Sequence, residues 1–233
     1  MMPNVLVTGS NRGLGIEWVR QYAEEGWRVF ATCRHPAEAD DLKALAHSHR
    51  SITVHRLDIT KPDDVNALAR ELRNESIDVL INNAGLYLEK YEEVSLDNLR
   101  FDDWELTFRV NTLGCLRVTR ALKPMVAASA RRLVVAISTH MGSITEIETA
   151  DAFYYRSSKA ALNASMKGVS LELKPLGIGV LILHPGWNNT RMGGPDAPFR
   201  PVDTVAGMRR IIERFDMRHT GRFFRFNGEE IPW

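Results

Sequence analysis

A tyrosine and a lysine four residues apart, Tyr155 and Lys159 in the stretch FYYRSSKA, could move protons if they share a helix. At that spacing two side chains lie on one face, with Cβ atoms about 5–6 Å apart. A free phenol, with a pKa near ~10, is a poor catalyst at neutral pH, and a neighbouring ammonium favours its ionised form. Tyr155 could then give a proton to a carbonyl oxygen or take one from an alcohol. As a plain surface pair the two would contribute about 0.2–0.5 kcal/mol and no chemistry, so their meaning depends on what stands nearby.

A glycine-rich loop stands early in the chain, TGSNRGLG, with Gly9, Gly13 and Gly15. Glycines let a strand turn sharply into a helix and let backbone amides approach a pyrophosphate, to which the helix N-terminus adds partial positive charge. The spacing is G-x-x-x-G-x-G, not the generic G-x-G-x-x-G, and the loop alone would also suit a plain turn or a methyltransferase. A methyltransferase, however, has no use for the Tyr155–Lys159 pair. The end of the second strand reads ATCRHP: Arg34 is present and no acid is. A free ribose 2′-hydroxyl wants a carboxylate there and a 2′-phosphate wants a cation. Arg12, inside the glycine loop, could offer a second guanidinium. Unless both arginines are merely solvated, NADP(H) is preferred over NAD(H). The histidines show no metal-ligand spacing with cysteine or acid, so no metal site is expected.

The elements that would hold these groups alternate along the chain. Strands are expected at Asn4 to Thr8, Arg28 to Thr32, from Ser51, Ile77 to Asn82, Arg132 to Ser138, Ile178 to His184 and from Gly221. Helices are expected from Gly13 to about Glu25, after Thr60 and Pro62, and from about Trp104 to Ala128, the last preceded by a polar connection from Tyr87 to Asp103. Near-continuous apolar strands, each followed by a helix, imply an α/β fold with a parallel, doubly wound sheet of about seven strands, a Rossmann fold with helices on both faces. Ligands would bind beyond the carboxyl ends of the strands, where strand order reverses. No linker or repeat divides the chain, so one domain over residues 1–233 is expected.

Thirty basic against twenty-nine acidic residues leave a formal charge of +1, which argues against nucleic acid or an anionic membrane as partner. Cys33 and Cys115, far apart, suggest a reducing compartment. No apolar run approaches the ~20 residues that span a bilayer, and the N-terminus lacks the basic start of a signal peptide. A cytoplasmic location is expected.

Taken together, TGSNRGLG, the NNAG of Asn82 to Gly85, Asn111, the YRSSK of Tyr155 to Lys159 and the HPG of His184 to Gly186 resemble a short-chain dehydrogenase/reductase along essentially the whole chain. TCRHP, HPGWNNTRMGG and FNGEEIPW resemble, more narrowly, the sniffer-like carbonyl reductases and the C-factor group. The resemblance implies a substrate that is a small aldehyde, ketone or alcohol, and a homodimer or homotetramer. It implies cofactor contacts at Gly9, Asn11, Arg12, Gly13, Leu14, Gly15, Arg34, Asp58, Ile59, Asn82, Asn83, Ala84, Gly85, Tyr155, Lys159, Pro185, Gly186 and Thr190, the last meeting the nicotinamide carboxamide. Lys159 would also bond the nicotinamide ribose, and Asn111 would hold a water in a proton relay. The family's substrate-orienting serine falls on Thr139, in ISTH, with Ser138 as the alternative. Threonine keeps the hydroxyl but stiffens χ1 and adds a methyl group. A second departure is WNN, which puts Asn188 and Asn189 beside the expected cofactor contact. Tyr87, Met141, Trp187 and Met192 are candidate pocket residues. A low-turnover, NADP(H)-binding regulator of C-factor type stays open as an alternative to the enzyme.

Overall fold

The computed structural model describes residues 2–233. Seven parallel strands form one sheet in the order β3-β2-β1-β4-β5-β6-β7. They are β1 Asn4–Thr8, β2 Arg28–Cys33, β3 Ile52–Arg56, β4 Val79–Asn82, β5 Leu133–Ile137, β6 Gly179–His184 and β7 Arg222–Arg225. The central strands read as unbroken apolar runs because both faces are covered. Successive residues of β1 serve opposite cores: Leu6 joins Phe30, Leu80, Val134 and Ile182 on one face, while Val5 and Val7 join Val29, Ile81, Val135 and Leu183 on the other. Helices α3 (Pro62–Glu71), α5 (Cys115–Ala127) and α6 (Phe153–Leu173) cover the first core. Helices α1 (Gly13–Glu24), α2 (Asp40–Ser48) and α7 (Pro201–Glu213) cover the second.

The long helix expected from Trp104 differs in two respects. It begins at Phe101, as α4 (Phe101–Phe108), because Asp102 and Asp103 occupy its first turn, where acids meet the positive end of the helix. It is also interrupted by a π-helical stretch, Arg109–Gly114, before α5 resumes. Two contacts hold that stretch: Thr112 donates to the Ser158 carbonyl at 2.8 Å, and Gly114 lies so close to Ile59 that a Cβ would stand 2.6 Å from its Cδ1. Strand order reverses between β1 and β4, which opens a crevice at their carboxyl ends.

Candidate active site

The glycine loop is shaped by close approach. Gly9 has φ +69°, and a Cβ on Gly15 would fall 1.9 Å from the Gly9 carbonyl oxygen, so neither position accepts a larger residue without moving backbone. Asn83 ties the loop to β4: its Nδ2 donates to the Thr8 carbonyl at 2.9 Å, while Thr8 Oγ1 accepts the Asn83 and Ala84 amides at 3.0 Å each. The N-terminus of α1 has no side-chain cap, which leaves its first amides free for an anion. Arg12 and Arg34 are both exposed, and neither forms an ion pair within 4.0 Å among the described residues. Asn11 is exposed beside them, and Leu14 packs against the second core. Thr190 closes the far side, its Cγ2 3.5 Å from where a Gly13 Cβ would be. An uncapped helix end, two free guanidiniums and glycine-bounded space fit a dinucleotide carrying an extra phosphate.

Three expected contact residues have side chains engaged within the chain. Asn82 is buried and donates from Nδ2 to Thr119 Oγ1 at 3.1 Å, facing α5. The Ile59 side chain belongs to the first core. Asp58 accepts from the Thr60 amide and hydroxyl at 2.9 and 2.6 Å. Burial opposes its ionisation, yet those two donors, with Arg34 and Lys61, bring its carboxyl below the usual value.

Tyr155 and Lys159 lie on α6 at the carboxyl edge of the sheet, as their spacing predicts. The Lys159 ammonium is buried, donates to the Ile137 carbonyl at 2.8 Å and stands 5.9 Å from the centroid of the Tyr155 ring. Burial drops its pKa from 10.5 to about 8, with Cys115 opposing. The expectation that Lys159 makes the phenol more acidic is not met in this arrangement. Burial first, then Tyr87 and Glu89, push the Tyr155 phenol well above its ordinary value. The physical reason is first the burial of the ring, and then that the ammonium is committed to the Ile137 carbonyl while the Glu89 carboxylate is held at the tyrosine's own backbone amide.

Gly142 lets the loop after β5 lie on α6, since a Cβ there would be 2.9 Å from Lys159 Cβ. Thr139 Oγ1 accepts the Met141 amide at 3.2 Å, which leaves its own proton to donate. Ser138, just past the end of β5, is buried and donates to Asn163 Oδ1 at 2.6 Å, which commits its proton. Asn111, within the π-helical stretch, clamps Leu86: Oδ1 accepts its amide and Nδ2 donates to its carbonyl, both at 2.9 Å. Nδ2 also donates to Ser158 Oγ at 3.0 Å. Asn111 and Lys159 converge on Gly85, where a Cβ would lie 3.3 Å from Oδ1 of the first and 3.6 Å from Nζ of the second.

Tyr87 stacks on Tyr155 with ring centroids 4.2 Å apart and planes 10° from parallel. Met141 is half-buried, while Trp187 and Met192 are exposed on the rim. Asn188 faces inward: its Nδ2 donates to the Pro185 carbonyl at 2.8 Å and its Oδ1 accepts from Thr204 at 2.6 Å. It therefore shapes the turn, together with Gly186 at φ +78°, while Asn189 stays exposed.

Sequence reasoning missed several residues. Lys90 crosses from the loop after β4 to the Met192 carbonyl at 2.6 Å and also reaches the Gly193 carbonyl. His140 Nδ1 meets His184 Nε2 at 3.1 Å, joining the loops after β5 and β6. Burial holds His184 near 3, so it stays neutral. Glu89 is buried and accepts the Tyr155 backbone amide at 2.9 Å. Only the YLEK stretch itself, an acid among half-apolar neighbours, could have drawn attention to Glu89.

A family model for short chain dehydrogenase matches residues 3–200. The C-signal of Myxococcus xanthus is 41% identical over 169 residues, which are 72% of this chain and all of that protein. The NADPH-bound carbonyl reductase from chicken fatty liver superposes with a TM-score of 0.92 at 30% identity, covering 100% of this chain and 99% of the other. The carbonyl reductase Sniffer of D. melanogaster gives 0.93 at 27% identity, with full coverage of both. A seven-stranded doubly wound sheet, a glycine loop at its switch point, a tyrosine–lysine helix at its edge and these likenesses lead to one conclusion: the chain is an oxidoreductase of the short-chain dehydrogenase/reductase family, similar to sniffer-like carbonyl reductases.

Proposed function

We propose that this protein reduces aldehydes or ketones with NADPH, using Tyr155 as the proton donor. The observation that carries the reading is Tyr155 and Lys159 on one face of α6, pressed by Gly142 against the Thr139 loop and converging with Asn111 at Gly85. When bound, the cofactor supplies a hydride to the carbonyl carbon. Tyr155, held as a phenol, gives its proton to the carbonyl oxygen, and the free Thr139 proton bonds the same oxygen. Lys159, buried below the tyrosine's turn of α6 and bonded to the Ile137 carbonyl, serves with Asn111 the path by which a proton returns from water. Arg12 and Arg34 favour a 2′-phosphate, so NADP(H) is preferred to NAD(H), and NADPH bound to the chicken relative supports this. Tyr87, Met141, Trp187 and Met192 bound a small, partly aromatic substrate space.

The same reading takes the chain as one domain acting in the cytoplasm as a homodimer or homotetramer, without nucleic-acid or membrane partners. No helix among the described residues is long and apolar enough to cross a membrane. A groove along α4 and the π-helical stretch, lined by Phe101, Trp104, Phe108 and Leu113 with Glu105 and Arg109, supports self-association. A second reading, a low-turnover NADP(H)-binding regulator, draws on the identity to C-signal and on Thr139.

NADPH oxidation against a panel of carbonyl compounds tests the proposal. Tyr155→Phe should keep cofactor binding and lower kcat at least ~10²-fold, as expected on losing a general acid. An unchanged kcat rejects that role, and tight NADPH binding without turnover on any carbonyl favours the regulator.

A further inference from the structure

Glu89 lies in the loop after β4, only 3% exposed. Its Oε1 accepts the Tyr155 amide at 2.9 Å, and its Oε2 is buried with no hydrogen-bond partner in the chain. Carboxylates are seldom buried without a full set of partners, so this one requires a reason. Part of it is the end of α6. Ala152, at the cap position, has φ 52° and ψ 42° and offers no side-chain acceptor, and Glu89 supplies one from a distant loop. A neutral side chain would do as much, so capping leaves the charge unexplained. Tyr87, two residues earlier on the same loop, stacks on the Tyr155 ring at 4.2 Å. One short segment thus fixes the catalytic tyrosine by its ring and by its backbone, and buries a carboxylate at its amide.

We infer that Glu89 is a positioning residue that keeps Tyr155 in its proton-donating form and so biases the site toward carbonyl reduction over alcohol oxidation. The inference rests on the assignment of Tyr155 as the proton donor. In reduction the phenol O–H bond breaks and a substrate O–H bond forms as hydride leaves the reduced nicotinamide for carbon. In oxidation the phenolate must first exist to take the alcohol proton. A buried negative charge held at the tyrosine's own amide, within Coulombic reach of the phenol, favours the first state and opposes the second. The groups facing the pair come from four segments. Tyr87 and Glu89 belong to the loop after β4, Lys159 and Arg156 to α6, and Asp151 to the loop before it; Cys115 of α5 faces Lys159. Arg156 pairs with Asp151 at 2.8 Å and acts on Tyr87 in the opposite sense to Glu89, while Glu89 itself forms no ion pair within 4.0 Å among the described residues. Burial, Tyr87 and Glu89 act on the phenol in the same direction.

Glu89→Gln keeps an acceptor for the Tyr155 amide and removes the charge, whereas Glu89→Ala removes both. Ultraviolet titration of phenolate, with and without NADP+, is read as the difference between each protein and its Tyr155→Phe counterpart. Glu89→Gln should raise the Tyr155 ionisation constant about 10-fold and raise the ratio of alcohol oxidation to carbonyl reduction several-fold at a fixed alkaline pH, with little change in Tm. Glu89→Ala should add a lower Tm. If Glu89→Gln does not fold, Glu89→Asp, which retracts the charge, should show a smaller shift in the same direction. An unmoved titration and ratio, with Tm lowered only in Glu89→Ala, would make Glu89 a helix cap and overturn the inference. The titration needs no turnover, so an enzyme inert to every carbonyl sinks the Tyr155 assignment without silencing the test of Glu89.

Discussion

At the carboxyl ends of β1 and β4 the chain meets itself with almost nothing between. Gly15 rests on the Gly9 carbonyl, Gly9 sits against Ala84, and Asn83 laces the loop to Thr8. At the ends of β5 and β6, and in the long loop after β4, the packing is of another kind. Tyr87 leans on Tyr155, Lys90 reaches across to the Met192 carbonyl, His140 touches His184, and Asn188 ties its turn to Thr204. The glycine loop is thus held chiefly by backbone against backbone, whereas the loops after β4, β5 and β6 add side-chain contacts between loops to close glycine approaches of their own, at Gly142 and Gly193. Binding of a shared cofactor needs a fixed shape, whereas substrate choice is free to vary on a scaffold that does not move.

Substitutions on the two sides should differ in kind as well as size. Gly15→Ala puts a methyl group 1.9 Å from a backbone oxygen, and overpacking of about 1–3 kcal/mol should weaken NADPH binding ~10- to 100-fold, measured by fluorescence titration. Retained affinity would show that the loop can yield. Arg34→Asp should weaken NADPH at least about 10-fold while sparing NADH, since a charge-assisted bond is worth ~1.5–3 kcal/mol; equal losses for both cofactors reject the 2′-phosphate contact. On the other side, Lys90→Ala should raise KM for the carbonyl about 2- to 5-fold, in line with a partly exposed polar contact, with the NADPH Kd unchanged. A matching loss of cofactor affinity would erase the distinction between the two sides.

Lys159 tests both sides through pH. Its folded pKa of about 8 lies below the ordinary 10.5, so burial of the ammonium costs stability below about 8. That cost is relieved as pH rises toward 10, because the unfolded chain then binds more protons than the folded one. Wild type should therefore gain Tm relative to Lys159→Met between pH 8 and pH 10. A flat difference would mean that the ammonium is solvated.

Much of the fold was legible because it is written in contiguous stretches. Apolar strands and interrupting glycines fixed the seven-stranded sheet and the loop at its switch point, and i, i+4 spacing put Tyr155 and Lys159 on one face. The long helix starts earlier than its polar lead-in suggests, because Asp102 and Asp103, which resemble loop residues in isolation, are favoured in a helix's first turn. The π-helical stretch at Asn111 depends on contacts with Ile59 and Ser158, which no local pattern reports.

The amino-acid sequence by itself determined what is settled within a few residues or by side-chain period: the parallel sheet, the glycine loop with Arg12 in it and Arg34 after the second strand, and the placing of a phenol and an ammonium on one helical face. Only the tertiary structure decided that a buried carboxylate joins the surroundings of that phenol, that Ser138 is committed to Asn163, and that Asn188 shapes a turn. The physical reason is that electrostatics and hydrogen bonding act through space. Glu89 and Tyr155 lie 66 residues apart along the chain, and folding brings them within 2.9 Å.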